Sequence, residues 1–444
     1  MIVFISDLHL MDGTAGKHYL GVETFRDIFK EIAIQAQDAG VGGSSNSKVL
    51  KIVLLGDIFD LVRTETWFIK KQDGKIVDTI TVEDRPWGNP SDKTEKLACE
   101  IFDNIVKENS EIIDIISCKN WKDLGFPIKP EVVYIPGNHD RLCNLYASLR
   151  DRVTNSLGLD NLSKNEKFSS IFKDKQHGVF ARHGHEYDSF NFTGSYDETP
   201  IGDVIAAEIA SKLPISIQKH LNGTQLSSEN QQVICDHFRN LFDIRPLTAI
   251  IHWLFYQVEH STKYDKDVKE KINLAFQEVG EEFVKLDFVK RWIRQNDLLW
   301  NPMDQADIVQ MLISILRTFN MNSFKWQLSL WEKSKYVRNL FTTDHYLDGA
   351  VKDFNNEAKD YQYLLYGHTH QPLQKAINII DKDKEQLYLN TGTWRPAYYQ
   401  TTSKTGFTSW NNLTYTIIYQ PGEFHAGKTI IKPRFEVWTG AMKN

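Results

Sequence analysis

The sequence predicts an α/β fold carrying a helical insertion, and three observations carry that expectation. Short runs of Ile, Val, Leu and Tyr recur through the first 200 residues and return after residue 346. Five of these runs lead directly into polar motifs containing Asp, Asn, His and Gly. Between residues 201 and 345 the short runs give way to apolar residues spaced as in amphipathic helices. Brief apolar runs that stop at turn residues fit buried strands, whereas recurrence every three and four residues fits helices packed on a sheet.

In chain order, strands are expected at Ile2–Ser6, Leu50–Leu55, Glu131–Ile135, Gly178–Arg182, Tyr361–Tyr366 and Gln386–Leu389. Phe25, Ile28, Phe29 and Ile32 give Glu23–Gln37 helical spacing, ending in the Gly-Ser-rich linker Gly40–Ser47. Glu95–Ser117 reads as a second helix, and Trp67–Val82, with Asp73-Gly74 between extended runs, as a hairpin arm. The insertion, residues 201–345, holds Trp253, Trp292, Trp300, Trp326 and Trp331, expected to fill its core. Leu413–Tyr419 and Thr429–Trp438 alternate like antiparallel strands.

A net charge of -6 gives no global basic field, so a nucleic-acid partner is not expected. The four cysteines, Cys99, Cys118, Cys143 and Cys235, show neither Cys-x-x-Cys nor finger spacing, and read as reduced core thiols. The N-terminal apolar run meets Asp7 and His9 before it reaches the length of a signal-peptide core. No stretch has transmembrane length, so the expectation is a cytoplasmic protein without a membrane partner.

The motifs carry the chemistry. They are Asp7-Leu8-His9, Gly56-Asp57-Ile58-Phe59-Asp60, Gly137-Asn138-His139-Asp140, His183-Gly184-His185 and Gly367-His368-Thr369-His370. Loops leaving strand C-terminal ends converge on one crevice in α/β sheets, so motifs far apart in sequence can meet. On an extended chain, Asp7 and His9 would share a face. Asp, Asn and His are ligands for divalent metals, and this set suffices for two ions if Asp57 bridges. Mixed carboxylate and imidazole donors favour manganese or iron, with zinc the alternative. The neighbouring glycines leave room for sharp turns and for substrate.

Together the five motifs resemble the calcineurin-like metallophosphoesterase superfamily, whose pattern is Asp-x-His, Gly-Asp-x-x-Asp, Gly-Asn-His-Asp/Glu, His and Gly-His-x-His. Each is present without substitution, in segments covering residues 1–199 and 346–400. The resemblance implies a four-layer α/β/β/α metallophosphoesterase sandwich, formed by residues 1–200 and 346–444, with 201–345 as an inserted helical cap. It assigns one ion to Asp7, His9, Asp57 and His370, and the other to Asp57, Asn138, His183 and His368. His139 then meets the phosphate and assists the leaving oxygen. Asp60 and Asp140 hold the ligands or His139 by hydrogen bonds, with Asp140 grouped with His139 as catalytic. Similarity of Ala181-Arg182-His183-Gly184 to the family's strand-end His-Gly selects His183 over His185 as ligand.

The implied activity is hydrolysis of a small phosphomonoester, phosphodiester or pyrophosphate, with metal-bound hydroxide as nucleophile. Protein phosphatases of the superfamily carry Gly-Asp-x-x-Asp-Arg-Gly, whereas this chain continues Asp60-Leu61-Val62. The alternatives are a DNA nuclease resembling the break-repair exonucleases and a metal-free scaffold. Arg141 is either a phosphate contact or a surface residue; Trp394 is expected in the core and Arg395 near the site rim. Lys285, Lys290, Arg291 and Arg294 read as a solvated helix face. A cap inserted between the fourth and fifth motifs would cover the crevice mouth and favour a compact substrate, its alternative use being a homodimer contact.

Overall fold

The computed structural model describes every residue except 17, 19, 43–48, 73, 74, 89, 160–165, 246–248, 261–265, 299–303, 320–343, 382, 383, 404, 426 and 444. The chain is mixed α/β. Its strands are β1 (Ile2–Ile5), β2 (Lys51–Leu55), β3 (Ile69–Gln72), β4 (Lys75–Thr79), β5 (Glu131–Ile135), β6 (Ile171–Asp174), β7 (Val179–Arg182), β8 (Ile244–Arg245), β9 (Tyr363–Tyr366), β10 (Leu373–Asp381), β11 (Lys384–Asn390), β12 (Pro396–Gln400), β13 (Phe407–Tyr419), β14 (Phe424–His425), β15 (Lys428–Thr429) and β16 (Arg434–Met442). A seven-stranded sheet runs β5-β2-β1-β13-β12-β8 with β16 also paired to β13, and a five-stranded sheet runs β10-β11-β9-β7-β6.

The alternation along β1 and β2 sorts side chains to two destinations. Val3, Ile5, Ile52 and Leu54 pack with Phe25, Phe29 and Ile32 of the helix Val22–Asp38 and Ile101 and Ile105 of the helix Asp92–Glu108. Ile2, Phe4, Val53 and Leu55 meet Val179, Ala181, Tyr363 and Leu365 of the second sheet. The opposite face of that sheet, with Phe180, Leu364 and Tyr366, receives Ala350 and Phe354 of the helix Asp344–Asn355. Apart from Lys51 and Arg182 at strand ends, β1, β2, β7 and β9 are apolar because each face is covered, and each fully buried large side chain contributes about 1.5–3 kcal/mol.

Three expected elements differ. The helix expected over Glu95–Ser117 is broken at Asn109, whose Nδ2 donates to the carbonyls of Ile105 and Met11, both at 2.8 Å. That side chain competes for a helical acceptor and ties the break to the loop after β1. The C-terminal strand starts at Arg434 rather than Thr429, beyond Pro433, which has no N–H to give a ladder. The stretch 201–345 is not wholly helical, because β8 pairs parallel with β12 (Tyr398↔Ile244, Tyr399↔Arg245).

Elsewhere β3 and β4 form the expected antiparallel pair, with Asp73 and Gly74 outside the described residues. Most of the Gly40–Ser47 linker, and Trp300, Trp326 and Trp331, also lie outside them. Trp253 is buried against Tyr398 and Phe407 of the large sheet, so it joins the helices to the sheet. Trp292 is half-buried beside Phe190. The four cysteines are free and buried. No described helix is long and apolar enough to cross a membrane.

Candidate metal centre

The loops leaving β1, β2, β5, β7 and β9 carry the five motifs, and backbone bonds lock them together. Asp7 N donates to Gly56 O (3.0 Å), His9 N to Asp57 O (2.8 Å) and Gly367 N to His183 O (2.9 Å). Side chains add His139 N to Asp57 Oδ1 (2.9 Å) and His368 N to Asp7 Oδ2 (3.0 Å). Asp7, His9, Asp57, His368 and His370 all adopt positive φ, between 48° and 67°. Asp7 and His9 therefore converge through left-handed turns after β1 ends at Ile5, and not by sharing a face of an extended strand. Such conformations cost on the order of 1–3 kcal/mol per residue and persist only where surrounding contacts over-determine them. Two glycines make room: a Cβ on Gly56 would lie 2.2 Å from His183 Nδ1, and one on Gly137 2.2 Å from Asp57 Oδ1.

Three overlapping sets of donors have ligand atoms within 4.8 Å of one another: Asp7, His9 and His370; His9, Asp57 and His139; Asp57, His183 and His368. Asp7 Oδ1 lies 3.3 Å from His370 Nε2, and Asp57 Oδ2 lies 3.7 Å from His9 Nε2 and 3.3 Å from His183 Nε2. Asn138 Oδ1 and His183 Nε2 are buried with no hydrogen-bond partner. Buried polar atoms normally find partners, so a carboxamide oxygen and an imidazole nitrogen left bare beside a carboxylate suit a cation.

Electrostatics follows the same packing. Burial pushes the Asp57 carboxyl up, but His183 and His139 beside it hold it well below the usual range. Burial also opposes charge on His139, yet Asp60 and Asp57 raise its pKa to about 10. Burial likewise opposes charge on His183, but Asp57, Asp7 and the Leu55 carbonyl together raise its pKa to about 10. Asp60 ties two imidazoles at once, Oδ2 to His9 Nδ1 (3.0 Å) and Oδ1 to His139 Nδ1 (2.9 Å). His139 is the most open of these rings, with 17% of its side chain exposed against 12% for His370, 9% for His368 and 0% for His183. It is the ring best presented to an incoming substrate.

The Asp140 carboxylate occupies a different position from the expected catalytic one. Its oxygens accept from the amides of Ile58, Phe59 and Gly137 (3.1, 2.7 and 3.3 Å), and it is fully buried. Burial and the nearby Asp57 raise its pKa to about 7. It braces the loops after β2 and β5 and does not line the cavity of about 320 Å³ onto which His9, Asp57, Asn138, His139, His368 and His370 open. His185 is buried behind His183, ring centroids 5.4 Å apart, and also stands outside the cavity. Arg141 is not the surface residue that one reading expected: it is buried on Asp203, Thr199 and the carbonyl of Asp197. Trp394 is fully buried on Phe25. Lys285, Lys290, Arg291 and Arg294 are exposed and do not reach the cavity.

Three residues that sequence reasoning passed over take part. Asp188 Oδ2 is 3.0 Å from His368 Nε2 and fixes that ring. Asp243 receives both Arg63 and Arg395, each through two nitrogens at 2.9–3.2 Å, all three side chains being buried. Arg245 presents Nη2 to His370 Nδ1 at 2.5 Å. Burial, then Arg245, pushes the His370 pKa down to about 3. Asp243 immediately precedes β8 and Arg245 is its second residue, so the pairing of β8 with β12 delivers both; a two-residue strand leaves no periodic signal.

Two sheets whose connecting loops gather carboxylates, imidazoles and one bare carboxamide define a metal-binding α/β protein. The chain belongs to the calcineurin-like phosphoesterase family, whose model matches residues 1–252 of the 444. No curated protein matches it. Membership indicates metal-dependent phosphoester hydrolysis, and the clustered donors are compatible with it. The match takes in the first four motifs and β8, running past the expected limit at residue 199. It ends before Gly367–His370, which the structure brings back beside Asp7.

Proposed function

We propose that the chain is a dinuclear phosphoesterase acting on a small phosphorylated substrate. The carrying observation is the overlap of donor sets through His9 and Asp57, with Asn138 Oδ1 left bare beside them. Asp7, His9, Asp57 and His370 would hold one divalent ion, and Asp57, Asn138, His183 and His368 the other, manganese or iron being favoured by the donors. Such a pair supplies Lewis acidity to a phosphoryl oxygen and makes a water acidic enough to act near neutral pH.

The protein's own groups do the rest. Asp57, held through Oδ1 by the His139 amide, would be the ligand common to both ions. Asp60 orients His9 and His139 together. His139, open to the cavity and held through Nδ1 by Asp60, is suited to neutralise a phosphate oxygen and to give a proton to the departing oxygen. We read the fold as a four-layer sandwich of residues 1–200 and 346–444, with 201–345 as a cap over the crevice. The test is a manganese-loaded activity screen across phosphomonoesters, phosphodiesters, nucleotides and duplex DNA. Turnover of a compact ester supports the reading. Turnover of duplex DNA alone would replace it with a nuclease, and inactivity on all of them would remove it.

A further inference from the structure

The donor cluster opens on one end of a cavity of about 320 Å³, and the far wall of that cavity has the opposite chemistry. On the near side stand His9, Asp57, Asn138, His139, His368 and His370. The far side comes from the π-helical segment Ala206–Ser211 and the helices Lys212–Leu221, Ile250–His260 and Gln305–Arg317. Every lining residue from those four elements is apolar, Ile209, Leu254 and Leu312 among them. Ile205, Phe242, Ile250 and Leu312 line the cavity while only partly buried, so they leave apolar surface for a ligand to cover.

The charged groups between the two walls are already engaged. Arg63 and Arg395 are paired with Asp243, and Arg245 is held by His370 and by the carbonyls of Phe242 and Ile244. A nucleoside or sugar pushed past them would bury hydroxyls and ring nitrogens against side chains that offer no partner, which is costly. A hydrocarbon chain meets no such penalty. The volume lies near the low end of the roughly 300–1,000 Å³ range of small-molecule pockets, so the space suits one chain and excludes a folded partner.

We infer that the substrate is amphiphilic: a phosphoester whose phosphorus sits among the motif residues and whose alcohol portion carries an alkyl or acyl chain lodged against the cap. This rests on the phosphoesterase reading above. Water added across the P–O ester bond would release the phosphate portion and the apolar alcohol.

The experiment uses the manganese-loaded full chain and linear alkyl phosphates of increasing chain length, each below its micelle concentration, with release of inorganic phosphate and of the alcohol as the readout. In parallel, calorimetry follows binding of the matching non-hydrolysable alkylphosphonates. Both kcat/KM and affinity should rise about three- to fourfold per methylene until the pocket is full, then level off. Leu312→Gln and Ile250→Gln should flatten both slopes, and Leu312→Met should keep them. Turnover with rates and affinities independent of chain length would overturn the inference. Chain-dependent phosphonate binding without hydrolysis of any ester would leave the apolar subsite standing and remove the phosphoesterase reading instead.

Discussion

Five residues on the motif side of the cavity, Asp7, His9, Asp57, His368 and His370, hold positive φ, whereas Leu254 and Leu312 on the facing side lie within regular helices. The first wall is strained and polar, with polar atoms left bare; the second is helical, with one π-helical stretch at Ala206–Ser211, and apolar. Strain on one side is tolerable because the strands behind it are fully covered and Asp60, Asp140 and the backbone bonds over-determine the loops. On the function proposed above, chemistry would sit where the backbone is constrained and selectivity where helices line the cavity. β8 and the Arg63-Asp243-Arg395 cluster join the two.

Removing a group from the polar wall should affect rate before binding. For His139→Ala, kcat is expected to fall by roughly 10²–10⁴-fold, the scale for loss of a general acid. Metal content should stay near that of the unaltered protein, because the proposed ligand is Asn138 and not His139. His139 also comes within ligand distance of His9 and Asp57, so metal lost in proportion to activity would make it a ligand.

The joint should govern stability. Asp243→Ala leaves two guanidinium groups buried without their carboxylate, a defect expected to cost about 3–5 kcal/mol, read as a lower urea midpoint. Although burial alone would raise it, Arg395 and Arg63 hold the Asp243 carboxyl below its usual 3.8. Its contribution is therefore complete at neutral pH, begins to fade only as pH drops below 3.8, and is lost as pH falls through the depressed folded value. Destabilisation by Asp243→Asn should accordingly shrink in acid. An equal effect at every pH would show that the cluster acts through shape and not charge.

The smallest expected effect belongs to a residue outside the motifs. Asp188→Ala frees the His368 ring, and loss of such an outer partner typically weakens metal binding by about 10- to 100-fold. A manganese titration giving unchanged affinity would mean that packing against Tyr346, 5.8 Å away between ring centroids, already fixes the ring.

How much of this could be read beforehand depended on whether a signal was local. The motifs stand out in the sequence because each follows a short apolar run, and β5, β7 and β9 lie within two residues of the expected boundaries. The break at Asn109 was hidden because the hydrophobic spacing continues across it, and only the tertiary contact with Met11 draws the side chain aside. Left-handed φ at five non-glycine residues leaves no mark in composition. Asp140 sat inside a chemical motif, yet its oxygens are spent on backbone amides, which sequence cannot distinguish from service to substrate. Asp188, Asp243 and Arg245 matter only because β8 and the turn after β7 bring them in.

The central claim is that one carboxylate, Asp57, is shared between two ions. The most direct measurement is the metal content, by elemental analysis, of manganese-reloaded protein and its Asp57→Asn variant, alongside hydrolysis of a small aryl phosphate. The account predicts close to two ions per chain, falling at both sites in the variant. Because even outer partners cost about 10- to 100-fold, loss of a shared ligand should lower activity by more than about 100-fold. A single tightly held ion with full activity, or a variant that keeps one site intact and still turns over, would contradict it.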